Sequence, residues 1–410
     1  MDILINIICK SLTLFPMRAY IWKFNIKILI MKMFQKLYLS DIQKDENEMD
    51  YPEFEPDLVL FFGNRSFLES TTIIRQWREN FPKTLISGCS TSGEIHKVSV
   101  YDGSLSITAI QFQKTKIAYQ AVNIDDFESS DEAGRTLIGS FEKQGLKHVL
   151  VFSDGLLVNG SELVRGIRWE LPEGCNATGG LAGDGALFEK TVVVTNEGVA
   201  RGKTISAIGF YGESLHVGYG SLGGWDSFGI ERNVTKSSAN VLYEIDNQPA
   251  LDLYKSFLGD KAKDLPSSGL LFPLSMRLSS SEEPVVRTIL AVDEKEKSLT
   301  FAGDIPEGAQ VKLMKANIDR LIDGAEEAAR TSIVPFEGQK AQLSILISCV
   351  GRKLVLKQLV EEEVEAVESA VGSQSAITGF YSYGEIAPFL AGAKCELHNQ
   401  TMTITTFTEN

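Results

Sequence analysis

Histidine is scarce in this 410-residue chain, with four residues at positions 96, 148, 216 and 398 and no H-E-x-x-H spacing. The five cysteines, at 9, 89, 175, 349 and 395, form no C-x-x-C pair. An odd, scattered set argues against a disulfide framework or a structural zinc site and suits the reduced thiols of a cytoplasmic protein. No charge-free apolar run approaches the roughly 20 residues of a spanning helix. The apolar stretch 1–39 is interrupted by Lys10, Arg18, Lys23 and Lys27, so no integral membrane segment and no signal peptide is expected. Basic charge is also in short supply. Residues 1–40 hold six Lys/Arg and one acid, so the rest of the chain carries −19 of a net −14. A body that acidic repels phosphate backbones, and nucleic acid is not an expected partner. There is no P-loop, no convincing dinucleotide fingerprint and no G-x-S-x-G elbow.

Glycine is plentiful, with 35 residues, and its placement repeats. Residues 88–95 read G-C-S-T-S-G-E-I and residues 379–386 read G-F-Y-S-Y-G-E-I. The flanks repeat too. A short apolar strand (57–62) is followed by a helix opened by Ser66-x-x-Glu69, a β-prone segment, the glycine turn and an alternating strand over 104–112. The order returns with a strand at 148–152, a helix at 161–169, the turn G-G-L-A-G-D-G over 179–185 and strands at 191–195 and 204–210. It returns again with a strand at 343–347, apolar residues at helical spacing over 356–371, the second G-E-I turn and a closing strand at 401–407. A strand over 116–122 and a helix opened by Ser129-x-x-Glu132 lie between the first two units. A strand–helix–strand–turn–strand unit thus occurs three times.

The expected fold is α/β or α+β, with layered sheets and packed helices in two related halves. Residues 1–50 are expected to be an extension outside the fold, with Met31 or Met33 as the working start. Residues 51–240 and 241–410 are the expected domains. Residues 232–249 read as the connection between them, 250–259 as a helix opened by Pro249, 270–274 and 285–292 as strands, 279–283 as a surface loop and 313–329 as an amphipathic helix.

The order and spacing of these segments resemble the FIST family, an N-terminal FIST domain followed by a FIST C domain. The carriers are residues 57–62 with 88–95, V-F-S-D-G over 151–155 with 179–185, and S-C-V-G-R over 348–352 with 379–386, within a resemblance spanning roughly 52–400. The resemblance implies an intracellular sensory module that binds a small ligand, with amino acids among the candidates. It also implies, for some relatives, haem binding and a response to nitric oxide. No output domain remains once the two parts are assigned, so a signal is expected to pass to a separate protein such as a kinase or chemoreceptor.

Read as chemistry, the glycine turns present backbone N–H groups able to cradle a carboxylate. Glu94, Asp184 and Glu385 stand at matching places and would either receive an ammonium group or cap backbone N–H groups. Arg352 would clamp a carboxylate, or pair with the Glu361–Glu363 run. Tyr381, Ser382 and Tyr383, with Cys349 and Gly351, complete a candidate site for a zwitterion such as an amino acid. Two alternatives stand beside it. Cys349 or Cys89 would serve an uncharacterised enzyme as a thiol nucleophile, although it would need an adjacent base from a chain with only four histidines, and no catalytic motif nominates an enzyme. His96, directly after G-E-I, is the best-placed axial ligand should the protein bind haem. No other cofactor is expected.

Overall fold

The computed structural model describes residues 31–39, 49–278, 284–389 and 392–410. Its plan is the threefold repeat, with one six-stranded mixed sheet per unit. The first sheet runs in the order Lys32–Leu39, Ser104–Gln111, Leu58–Gly63, Leu85–Ser90, Val193–Thr195, Val199–Arg201. The second runs Lys116–Asn123, Thr204–Tyr211, Leu146–Ser153, Asn176–Leu181, Gly384–Pro388, Cys395–His398. The third runs Leu215–Leu222, Met402–Glu409, Leu343–Cys349, Ala376–Ser382, Glu94–His96, Ser99–Tyr101. In each sheet four strands come from one unit and the last two are a hairpin from another. Unit two completes sheet one, unit three completes sheet two and unit one completes sheet three. The exchange is cyclic and links the three sheets into a ring.

Strands buried on both faces explain the continuous apolar runs. One face of each sheet meets a shared centre, where Phe62, Phe152 and Phe380, one per unit, have ring centroids 4.9 to 6.1 Å apart. The other face is covered by the unit's own helices. Val59 and Phe61 lie under Phe67, Ile74 and Trp77, Val149 and Val151 under Leu137, Leu163 and Ile167, and Leu346 and Ile377 under Ala328, Val364 and Val367. Each such side chain contributes about 1.5–3 kcal/mol by burial, and a polar substitution at the shared centre disturbs three units at once.

The glycine frame has a specific reason. Gly88, Gly179 and Gly379 each lie beside the parallel strand of their own unit. A Cβ there would stand 1.8–2.0 Å from the carbonyl oxygen of Phe61, Val151 or Leu346. Across the sheet these glycines face Val194, Ile386 and Ile95, each from another unit. The opening glycine of one frame therefore pairs with the isoleucine that closes another. The two G-E-I frames repeat because they interlock.

Between Leu222 and Ile318 the chain leaves the ring and builds an eight-stranded sheet with its own core, around Val234, Leu242, Leu251, Tyr254, Met276, Phe301 and Val311. This insertion splits unit three between its first and second strands.

Several expectations are corrected. Lys32–Leu39 is not outside the fold. It pairs along its length with Ser104–Gln111, and Phe34 and Tyr38 pack on the first unit's core; its lysines occupy the wet edge, which gave the segment the look of a leader. Residues 1–30 lie outside the described residues. The expected boundary at 240 falls inside the inserted sheet, between the mutually paired strands Asp226–Ser238 and Val241–Ile245. Residues 232–249 are thus part of a hairpin, not a connection. The amphipathic helix is Ile318–Ile333, capped by Asn317, and Leu313 belongs to the strand Gln310–Lys315. Residues 267–271 are a 3-10 turn ahead of the strand Leu274–Arg277. The first helix is two, Arg65–Ser70 and Ile73–Asn80, and Asn64 rather than Ser66 caps it. The loop expected over 279–283 lies outside the described residues.

Candidate functional site

The acids of the glycine frames are held by the backbone they stabilise. Glu94 accepts from Thr91 Oγ1 at 2.5 Å and, through its other oxygen, from Ser104 N at 3.0 Å and Ser104 Oγ at 2.7 Å. Glu385 repeats the pattern with Ser382 Oγ at 2.6 Å, Thr401 N at 3.2 Å and Thr401 Oγ1 at 2.9 Å. Each glutamate ties the turn to the start of the return strand. Both are buried, and burial pushes their carboxyls up to about 7 for Glu94 and about 8 for Glu385. Asp184 is not their counterpart. Glu94 faces Phe380, Glu385 faces Gly180, and the residue in that register in unit two is Val193, facing Cys89. Asp184 instead gathers the N–H groups of Phe188, Glu189 and Lys190 at 2.9 Å and the Tyr383 hydroxyl, closing the longer turn of unit two.

Arg352 is fully buried and engaged inside the protein, which corrects its expected role as a ligand clamp. Its Nε and Nη2 donate to Glu363 Oε2 at 3.0 and 2.7 Å, Nη2 also to Leu321 O at 2.7 Å, and Nη1 to Gly223 O. Glu363 Oε1 accepts from Tyr381 at 2.6 Å and Ser348 at 3.1 Å. Gly223 follows the last ring strand before the insertion and Leu321 opens the helix after it, so the guanidinium pins both crossings of the seam. Gly351 packs on Gln400, whose Nε2 lies 2.3 Å from where a Cβ would stand. Cys349 is buried at the end of the strand Leu343–Cys349. Of the expected contacts only Tyr383, stacked on Phe188 at 4.4 Å, borders a described cavity, one of about 210 Å³.

The larger opening lies elsewhere, on the seam between ring and insertion. It holds about 630 Å³, within the range of small-molecule sites. The ring wall comes from the helix Gly160–Glu170, with Ser161, Arg165 and Arg168, and from the hairpin region with Phe389, Lys394, Glu396 and His398. The insertion supplies Met276, Arg277, Val285, Arg287, Asp304 and Pro306. Direct bonds cross the seam here, among them Asn159 Nδ2 to Asp304 Oδ1 at 3.0 Å, Asp304 N to Ser161 Oγ at 3.2 Å and Arg287 Nη1 to Leu397 O at 3.0 Å. His398 donates from Nε2 to Ala387 O at 2.9 Å, and burial lowers it to about 4, so it is neutral.

Two domain matches, placed end to end, cover most of the chain: a FIST N domain over residues 57–248 and a FIST C domain over 250–388. The chain belongs to the FIST family. The FIST N match takes in the first two ring units except the strand Lys32–Leu39, the first strand of unit three and the opening of the insertion; the FIST C match takes in the rest of the insertion and unit three as far as Pro388. A relative described as uncharacterized protein MJ1623, from Methanocaldococcus jannaschii, is 22% identical over 343 residues, covering 75% of this chain and 65% of its own. The chain thus spans just under two thirds of that relative. Two solved structures of cyanuric acid hydrolase, one from A. caulinodans, align over 93% of this chain and 99–100% of theirs at 8% identity, with TM-scores of 0.32 and 0.31. That likeness says nothing about activity.

The thiol and haem alternatives can be placed on this FIST fold. Cys89, Cys175, Cys349 and Cys395 are free and buried, and burial raises all four thiols, to about 12 for Cys175 and Cys395. They are expected to react with a disulfide reagent only on unfolding; a fast reaction of Cys349 or Cys89 in the native protein would restore the nucleophile reading. His96 bonds Ser106 Oγ at 3.0 Å, burial lowers it to about 4, and it borders none of the described cavities. Among the described residues no group of His, Cys, Asp and Glu is placed to hold a metal ion, and no helix is long and apolar enough to cross a membrane. Sequence reasoning missed the arginines of the seam cavity. Their one local signal is the i, i+3 spacing of Arg165 and Arg168; Arg277 and Arg287 read as ordinary strand residues until the insertion folds against unit two.

Proposed function

We propose that this FIST protein is a cytoplasmic receptor for a small molecule, that the ligand occupies the seam cavity, and that occupancy is reported to a separate signalling protein. Family membership supports the sensory role, since FIST domains are sensory domains of signal transduction. The observation that carries the site is the position of the cavity between two parts with separate cores, bridged at its edge by the Asn159–Asp304 and Ser161–Asp304 contacts. A ligand touching both walls binds the docked arrangement better than the loosened one and shifts the population toward it. The shift is felt at Gly223 and Leu321, where the insertion joins the ring.

Thermal unfolding of the full chain, screened against amino acids, small organic acids, nucleotides and hemin, tests the reading. One class is expected to raise the melting temperature by several degrees, since ligand at 100 times its Kd adds about 2.7 kcal/mol. Ala393→Trp, which fills the cavity from the ring side, is expected to abolish that shift while the chain stays folded. Shifts that survive Ala393→Trp, or none with any class, would overturn it.

A further inference from the structure

The cavity wall is unbalanced in charge in a way that specifies what enters it. Among the described residues five bases line it, Arg165, Arg168, Arg277, Arg287 and Lys394, against two acids, Asp304 and Glu396. Three of the bases have partners: Arg165 pairs with Asp131 at 2.8 Å, Arg277 with Glu231 at 2.6 Å, and Arg168 with Glu396. Arg287 and Lys394 have no carboxylate within ion-pair distance among the described residues.

Arg287 is the decisive side chain. It is 6% exposed, and it is held by carbonyl groups alone: Nε to Asp304 O at 3.2 Å, and Nη1 to Leu397 O at 3.0 Å and Val286 O at 3.3 Å. Nη2 has no hydrogen-bond partner among the described residues. Burial lowers the guanidinium to about 10, which still leaves it charged at neutral pH. Asp304 and Glu396 act on it through space but, among the described residues, no carboxylate hydrogen-bonds it, and a planar fork with an open edge is the arrangement that receives a carboxylate. Arg277 adds a buried Nε with no partner among the described residues. The overall charge of the chain is −14, so a cationic cavity is a local reversal that raises the concentration of small anions there. The same cavity wall carries apolar surface from Met276, Val285, Phe389 and Leu397.

Resting on the receptor reading above, we infer that the seam cavity binds a small organic acid carrying two carboxylates, one received by Arg287 on the insertion and one by Lys394 on the ring, with its carbon chain over Phe389 and Leu397. An amino acid with an uncharged side chain leaves one of the two cations unanswered, and inorganic phosphate leaves the apolar strip uncovered. A ligand gripped from both walls also bridges ring and insertion.

Calorimetric titration of the full chain with succinate, glutarate and adipate, beside butyrate, L-amino acids with uncharged side chains, glucose and inorganic phosphate, decides the matter. At least one dicarboxylate is expected to bind ten times or more tightly than butyrate, the amino acids, glucose or phosphate, and to weaken as salt rises. Arg287→Gln is expected to weaken it at least tenfold. Lys394→Ala, at an exposed position that folding does not need, is expected to weaken it several-fold and flatten the salt dependence. Should Arg287→Gln fail to fold, Lys394→Ala and the conservative Arg287→Lys carry the test. Dicarboxylate binding at unchanged affinity in Lys394→Ala and in Arg287→Gln (or Arg287→Lys) would overturn the inference. Amino acids, glucose or phosphate binding more tightly, and blocked by Ala393→Trp, would also overturn it and leave the receptor standing. If no probe in either screen binds, the receptor reading falls as well.

Discussion

Replacing Arg352 with methionine is expected to destabilise the protein by about 3–5 kcal/mol. The loss follows from what is stranded. Glu363, fully buried, would keep its bonds from Tyr381 and Ser348 but lose the one cation paired with it among the described residues, and the Gly223 and Leu321 carbonyls would lose a donor each. Glu363→Met alone is expected to be comparably damaging, because it leaves the guanidinium buried and unpaired. The double replacement is expected to cost clearly less than the sum, since an apolar pair removes both charges together. Denaturant midpoints of the four proteins, followed by circular dichroism and tryptophan fluorescence, give the coupling directly. A stable Arg352→Met protein that had lost only ligand binding would return the arginine to the site from which its geometry removes it.

Stability should fall as pH rises from about 7 to about 8.5, above the range in which the buried His96, His148 and His398 act in the opposite direction, and Glu385 should be the main cause. The folded carboxyl keeps its proton up to about pH 8 because burial disfavours the charge, with Ser382, Thr401 and Arg352 opposing only in part. The unfolded chain releases that proton near the ordinary glutamate value of 4.5. Between those limits this carboxyl is protonated in the native state and ionised in the unfolded state, so unfolding releases its proton and, for this group, raising the pH favours unfolding. The stabilisation is complete below about 4.5 and is lost as pH passes through about 8, a change on the order of 3–5 kcal/mol for Glu385 over the full window. Glu94 adds a contribution of the same sign that ends near 7. Glu385→Gln, a neutral near-isostere, is expected to flatten most of this slope and to unfold at higher denaturant than the natural protein at pH 8.5. A variant with an unchanged slope would show that the carboxylate is already ionised in the fold.

The two results bear on one design. Glu385 and Arg352 belong to the third unit, the one the insertion interrupts, and both serve the joints of the ring. In unit two, where Val193 stands in the register of the glutamates, Asp184 and Tyr383 close the turn instead. Repeated sequence need not mean a repeated binding site; here it marks the places where one unit locks into the next.

How far the sequence alone reaches can be argued from particular segments. The runs Leu58–Gly63, Leu146–Ser153 and Leu343–Cys349 declared themselves as buried strands because both faces are covered, and no partner is needed to see that in the residues. The repeat order, the helix opened by Ser129 and the family followed from patterns local to each segment. The capping reading of Glu94, Glu385 and Arg352 was already present as an alternative, because turn acids and basic residues near acidic runs have nearby backbone and charge to satisfy. Lys32–Leu39 escaped because an edge strand with lysines on its open side carries only half an apolar pattern. The hairpin exchange, the insertion and the seam cavity could not be read at all. They depend on which unit's hairpin meets which sheet, and on Arg165, Arg168, Arg277, Arg287 and Lys394 converging from segments over 100 residues apart. Local periodicity determines which residues must be buried; only the packed tertiary structure decides which charges are left facing one another across a gap, since that balance is struck through space and not along the chain.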